Sequence, residues 1–126
     1  VDRPRQSLLK SWYVAFAGLF TAIKTERNVR IVAVCMVAAF ALAAAFRVSA
    51  IEWIIVVLCC GLVMVTELLN TAIESVTDLA CEERHPLAAA SKDTAAAATL
   101  MASGTALIAG LIIFVPKIIN LICCWL

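Results

Sequence analysis

The chain has 126 residues, 64% of them hydrophobic and 15% charged, with a mean hydropathy of +1.03. Soluble domains run near half apolar, so this composition points away from a free-standing soluble enzyme and toward a membrane protein. Ten basic residues stand against nine acidic ones, a balance that provides no polycationic surface for nucleic acid.

Residues 7–23 predict an amphipathic helix. Leu8, Trp12, Ala15, Phe16, Leu19, Phe20 and Ile23 recur at steps of three and four, with Ser7, Lys10, Ser11, Gly18 and Thr21 on the other side. Such a helix is expected to lie in the membrane interface rather than to cross it. It lacks the compact apolar centre of a signal peptide.

Three apolar segments follow. Residues 31–46 form a first span between Arg30 and Arg47, short for a hydrocarbon core of roughly 30 Å unless the flanking side chains snorkel. Residues 51–79 form a second, roughly 40 Å long as a helix, so its far end must leave the hydrocarbon. Residues 94–115 form a third, with Pro116 expected to stop or kink it. The apolar tail 117–126 is too short to cross and is expected at the far interface, with Trp125 as an anchor. Ala95, Ala98, Ala102, Ala106 and Gly110 on the third span are small residues at helical spacing, which suits close helix contact and an oligomer.

The positive charges orient these spans. With the N-terminus cytoplasmic, the inside holds Arg3, Arg5, Lys10, Lys24, Arg27, Arg30, Arg84 and Lys92, and the outside only Arg47 and Lys117. That is the asymmetry of the positive-inside rule. The six cysteines include two adjacent pairs, Cys59-Cys60 and Cys123-Cys124, and none has C-x-x-C spacing. They are expected to serve as small hydrophobes. The last four residues match a prenylation box, which a chain already crossing the membrane does not need.

Chemistry concentrates on the second span. Ionisable groups in a membrane helix are costly and are functional candidates by default. At 100° per residue Glu67, Asn70, Glu74 and Asp78 fall within about 80° of arc, and Thr71 shares that stripe. Asn70 or Thr71 alone would be read as hydrogen-bonding a neighbouring helix. Three carboxylates with no basic residue on the same helix are another matter: they must be paired from elsewhere, protonated, or bound to cations. Oxygen donors without His or Cys favour a hard ion such as Mg²⁺. Glu26 is the available second carboxylate; its plain alternatives are a solvated charge or an i,i+4 partner of Arg30. Glu82, Glu83, Arg84, His85, Lys92 and Asp93 follow beyond the stripe, with Lys92 able to offset phosphate charge. No P-loop and no protein-kinase loop signature is present.

The run Glu67-Leu-Leu-Asn70-Thr-Ala-Ile-Glu74, then Asp78, His85-Pro86-Leu87 and Lys92-Asp93 with Ala96 to Ala98, resembles the prokaryotic diacylglycerol/undecaprenol kinases. Glu26-Arg27-Asn28 before the first span matches as well, so the resemblance covers nearly the whole chain. It implies an all-α membrane protein, one lipid kinase domain over residues 1–126, with a surface helix, three transmembrane helices and a homotrimeric bundle with active sites between subunits. It implies Glu67 as catalytic base, Glu26 and Glu74 as ligands of Mg²⁺ on ATP, and Glu26, Glu74, Glu83, Arg84, His85, Lys92 and Asp93 as nucleotide contacts. Asn70 and Asp78 would support them, and Phe16, Phe20 and Glu67 would meet the lipid. The chain departs from relatives at Ala89 and Ala90, where a basic residue is frequent, and at Val14, where some have tyrosine.

The reaction so implied is transfer of the ATP γ-phosphoryl group to a lipid alcohol, at the cytoplasmic face of a bacterial plasma membrane. The Glu26-Arg27-Asn28 and His85-Pro86-Leu87 variants favour undecaprenol over diacylglycerol. The competitor from another class is a small proton-coupled transporter, which would want four spans and an ionisable residue near mid-bilayer.

Overall fold

The computed structural model describes residues 7–81 and 85–124, and these form four helices. They are α1 (Leu8–Thr25), α2 (Arg27–Ala45), α3 (Ala50–Ala80) and α4 (Pro86–Cys123). The last three are long and apolar enough to cross a membrane. They pack as a chain of neighbours, α2 on α3 and α3 on α4, while α1 packs against α2 and buries none of its own residues.

Every helix runs past the apolar stretch that marks it in the sequence. The difference is largest for α4, which begins at Pro86 rather than near Thr94. His85 caps its first turn: Leu87 N–H donates to His85 Nδ1 at 3.2 Å, and Pro86 at the first helical position has no N–H to satisfy. The polar turns from Pro86 to Asp93 are therefore helical although they are not apolar, because hydropathy marks the buried part of a helix and not its ends. Pro116 does not stop α4, which continues to Cys123. The helix loses one backbone bond there, which membrane helices tolerate where neighbouring groups satisfy the freed carbonyl. Residues 117–123 accordingly continue α4 instead of forming a separate tail.

Two ion pairs bracket the α3–α4 contact. Lys117 Nζ lies 3.1 Å from Glu52 Oε1 at one end, and Lys92 pairs with Asp78 at the other. The two helices are thus antiparallel, and the stretches between the pairs are nearly equal, about 39 Å on α3 and about 38 Å on α4. Between them small residues of α4 face α3. Ala95 and Ala102 are buried, and Ala106 and Gly110 are half-buried, whereas Ala98 is exposed. Most of the small-residue stripe is therefore spent on close packing within the chain.

Glu52 has a second task. Its Oε2 accepts from Ser49 N–H at 2.7 Å while Ser49 Oγ accepts from Glu52 N–H at 3.3 Å, a capping box that starts α3. The turn before it ends α2 just as firmly. Val48 N–H donates to Ala43 O and Arg47 N–H to Ala44 O, both at 3.1 Å, with Arg47 at φ 48°. This is a Schellman closure, and Val48 completes it by burying its side chain beside Ala43. Val56 and Ile113 join them, with Phe40 against Trp53 and Phe46 against Phe114 at ring distances of 6.1 and 6.2 Å. From this plug an apolar cleft of about 420 Å³ runs between α2, α3 and α4, past Met36, Val56, Cys60, Ala106 and Ile113 to Val63.

A non-glycine residue in the left-handed region costs roughly 1 kcal/mol. Arg47→Gly is therefore expected to stabilise the detergent-solubilised protein by about that amount, and Arg47→Val to destabilise it. Thermal unfolding followed by circular dichroism checks both.

Candidate active site

The stripe on α3 runs from a covered end to an open one. Glu67 is 4% exposed and Asn70 8%, the two buried polar residues among those described. Glu74 and Asp78, one and two turns farther, are exposed. The α3–α4 register puts Glu67 level with Ala102 and Ser103, where small side chains bring α4 close. Ala102 is itself buried, so close packing of α4 on α3 keeps solvent from this level of the bundle.

Burial without a partner is the chemical feature of this end. Among the described residues Glu67 has no ion pair, and the buried Asn70 Oδ1 has no hydrogen-bond donor. Taking a carboxylate out of water is costly unless something offsets it, and an orphaned buried amide oxygen costs about 1–3 kcal/mol. Both groups are the kind of side chain kept for a ligand or a reaction rather than for stability.

At the open end Lys92, half-buried on α4, pairs with Asp78 across the α3–α4 contact. Glu74 lies between this pair and the buried Glu67–Asn70 pair along the stripe, exposed and without an ion pair among the described residues. Asp93 is exposed. Glu83 and Arg84, expected at the nucleotide, lie outside the described residues. His85 is taken up locally through Nδ1 as the cap of α4, which leaves Nε2 as the ring atom open to a ligand.

Glu26 sits at the junction of α1 and α2, half-buried, and its carboxylate makes no capping bond. It is not the partner of Arg30, whose guanidinium turns instead to the main-chain carbonyls of Ile23 and Lys24. Phe16 and Phe20 are exposed on α1, Phe16 stacked with Trp12 and Phe20 under the ammonium of Lys24 at 4.6 Å. Sequence reasoning missed the part played by Arg30. A basic residue one turn after a helix break is the signal that could have found it.

The donor set suits a hard cation. Among the described residues no three His, Cys, Asp or Glu side chains are grouped as a metal cage. Mg²⁺ needs none, because it is commonly held by one or two carboxylates with substrate phosphates and water completing the shell. Glu26 and Glu74, neither in an ion pair among the described residues, fit that requirement in chemistry.

Comparison with known proteins agrees with this arrangement of residues. The sequence profile of the prokaryotic diacylglycerol kinases matches residues 13–114. The chain is 40% identical over 109 residues to an undecaprenol kinase of Bacillus subtilis, covering 86% of this chain and 89% of that protein. It is also 40% identical over 116 residues to a diacylglycerol kinase of Synechocystis sp., covering 91% of this chain and 66% of that one. To a diacylglycerol kinase of Escherichia coli it is 34% identical over 95 residues, 75% of this chain and 78% of the relative. With three helices fit to cross a membrane, the chain belongs to the prokaryotic diacylglycerol kinase family and is a multi-pass membrane lipid kinase.

Proposed function

We propose that the protein transfers the γ-phosphoryl group of ATP to the hydroxyl of undecaprenol, at the cytoplasmic edge of a bacterial plasma membrane. The observation that carries this reading is the graded stripe on α3, with Glu67 buried and in no ion pair among the described residues at one end and Glu74 exposed at the other. A lipid hydroxyl at headgroup depth meets the first, and a nucleotide from water meets the second. Membership of the kinase family leaves no support for the transporter alternative.

Glu67 accepts the proton of the attacking hydroxyl, and Asn70, one turn on, offers its amide to the same hydroxyl or to the phosphoryl oxygens. Lys92 sits where its charge offsets that of the phosphates, and Asp78 keeps its ammonium at the stripe. Glu26 and Glu74 would hold Mg²⁺, which when bound neutralises the β- and γ-phosphates. His85, Asp93, Glu83 and Arg84 are assigned to the nucleotide. The apolar cleft reaches Val63 on α3, one turn before Glu67, and Ser103 on α4, which supports it as the place for the hydrocarbon tail. The exposed apolar face of α1, with Phe16 and Phe20, supports a surface helix that guides the lipid in.

Undecaprenol is preferred to diacylglycerol on the Glu26-Arg27-Asn28 and His85-Pro86-Leu87 variants. The undecaprenol kinase relative, whose length the chain nearly covers, lends support. Phosphorylation of both lipids in the same mixed micelles decides the matter, and a higher kcat/KM for diacylglycerol would reverse the preference. A trimer is proposed as the working unit, because one chain leaves the stripe open at Glu74 and, among the described residues, supplies no cation to Glu67. Light scattering is expected to give three copies per particle, and a fully active monomer would sink the shared site.

Glu67→Gln keeps size and hydrogen bonding but removes the proton acceptor. Turnover is expected to fall by about 10²-fold or more, with nucleotide binding by calorimetry retained. Glu74→Gln is expected to raise the Mg²⁺ concentration needed for half-maximal rate and to weaken calorimetric Mg·ATP binding. An unchanged Mg²⁺ titration would remove Glu74 from the metal.

A further inference from the structure

A single residue separates α1 from α2. Glu26 ends one helix and precedes the other, at φ −98° and ψ 121°, extended between two helical neighbours. Its N–H still donates to Ala22 O at 2.8 Å, so the chain reverses character over one pair of torsions. The angle between the helices, and with it the direction of the Glu26 carboxylate, depends on what ties the last turn of α1.

That turn ends with carbonyls that lack helical partners. Arg30, one turn into α2, folds back to them: Nε donates to Ile23 O at 3.3 Å and Nη2 to Lys24 O at 2.8 Å. Beside it Val29 is fully buried at 0% exposure, so the first turn of α2 is itself anchored. The guanidinium also lies at the negative end of the α1 dipole. Its planar fork reaches two carbonyls at once in a fixed direction, which a single ammonium does not. A charge serving only membrane orientation would need no such direction.

We propose that Arg30 is a positioning residue: it locks α1 onto α2 and so holds Glu26 where the metal site with Glu74 requires it. This rests on the assignment of Glu26 to Mg²⁺ made above, and the experiment separates the two. Arg30→Lys keeps the charge, Arg30→Gln removes it, and Glu26→Gln removes the carboxylate. All are assayed as full-length protein for lipid phosphorylation against Mg²⁺, ATP and lipid. Hydrogen exchange by mass spectrometry over residues 21–28 reports the joint directly.

Both Arg30 variants are expected to raise the KM for Mg·ATP, roughly tenfold for Arg30→Gln and less for Arg30→Lys, as befits loss of charge-assisted bonds. The kcat should stay within about twofold and the lipid KM should not move. Exchange over residues 21–28 should quicken in the Arg30 variants and not in Glu26→Gln. Faster exchange with an unchanged Mg·ATP KM would make Arg30 a structural tie alone and overturn the proposal. So would Arg30→Lys behaving as wild type in both measurements. If Glu26→Gln leaves the Mg²⁺ titration untouched, the Glu26 assignment falls and the positioning claim with it, while the exchange rates still decide whether Arg30 sets the joint.

Discussion

The α3–α4 contact is the constraint on which the remaining structure depends. Two antiparallel helices must stay in register over a length that exceeds a hydrocarbon core of roughly 30 Å, with no hydrophobic driving force between them inside lipid. Small residues on α4 allow the backbones to approach, and charged pairs at both ends fix the axial position. Register is what makes chemistry available. It sets Glu67 against the small side chains of Ala102 and Ser103, and sets Lys92 against the polar stripe two turns beyond Asn70. A shift by one turn would put Val63 or Thr71 where Glu67 now stands, and the exposed pair would come apart.

Much of this was legible in the sequence because a membrane imposes one strong rule: apolar runs are helices. The three long helices, the polar stripe on α3 and the acidic residues within it follow from hydropathy and a period of 3.6. Helix ends were less visible. Hydropathy says nothing about the polar turns Pro86–Asp93, which belong to α4 through a cap and a proline, nor about the turns beyond Pro116. Amphipathic pairing at a distance was hidden for another reason. Glu52 with Lys117, and Asp78 with Lys92, are far apart in the chain and meet only through the register of two helices.

The candidate site shows the same division. That Glu67, Asn70, Glu74 and Asp78 share a face is periodicity; that the first two are buried and the last two open is tertiary structure. Ala95, Ala98, Ala102, Ala106 and Gly110 suited close helix contact and an oligomer; of these Ala95 and Ala102 are buried within the chain, where α4 packs on α3. Sequence spacing identifies a face suited to close approach and leaves its partner undecided. Arg30 is a similar case. The sequence offered it as one of the inside charges or as an i,i+4 partner of Glu26, but its guanidinium is committed to two carbonyl oxygens.

The turn joining α2 to α3 is only Phe46 to Ser49, tied by its own backbone bonds and a buried valine. Proteases take their substrates as extended strands, and antibodies favour projecting loops. Neither finds purchase on four residues wound tightly between two helices unless the helix ends first unravel. Limited digestion of sealed vesicles will therefore be silent at this turn whichever way the protein faces. An experimenter mapping topology by accessibility should place a reporter there on purpose, and should expect that lengthening this connection disturbs the plug of Ala43, Val48, Val56 and Ile113 behind it.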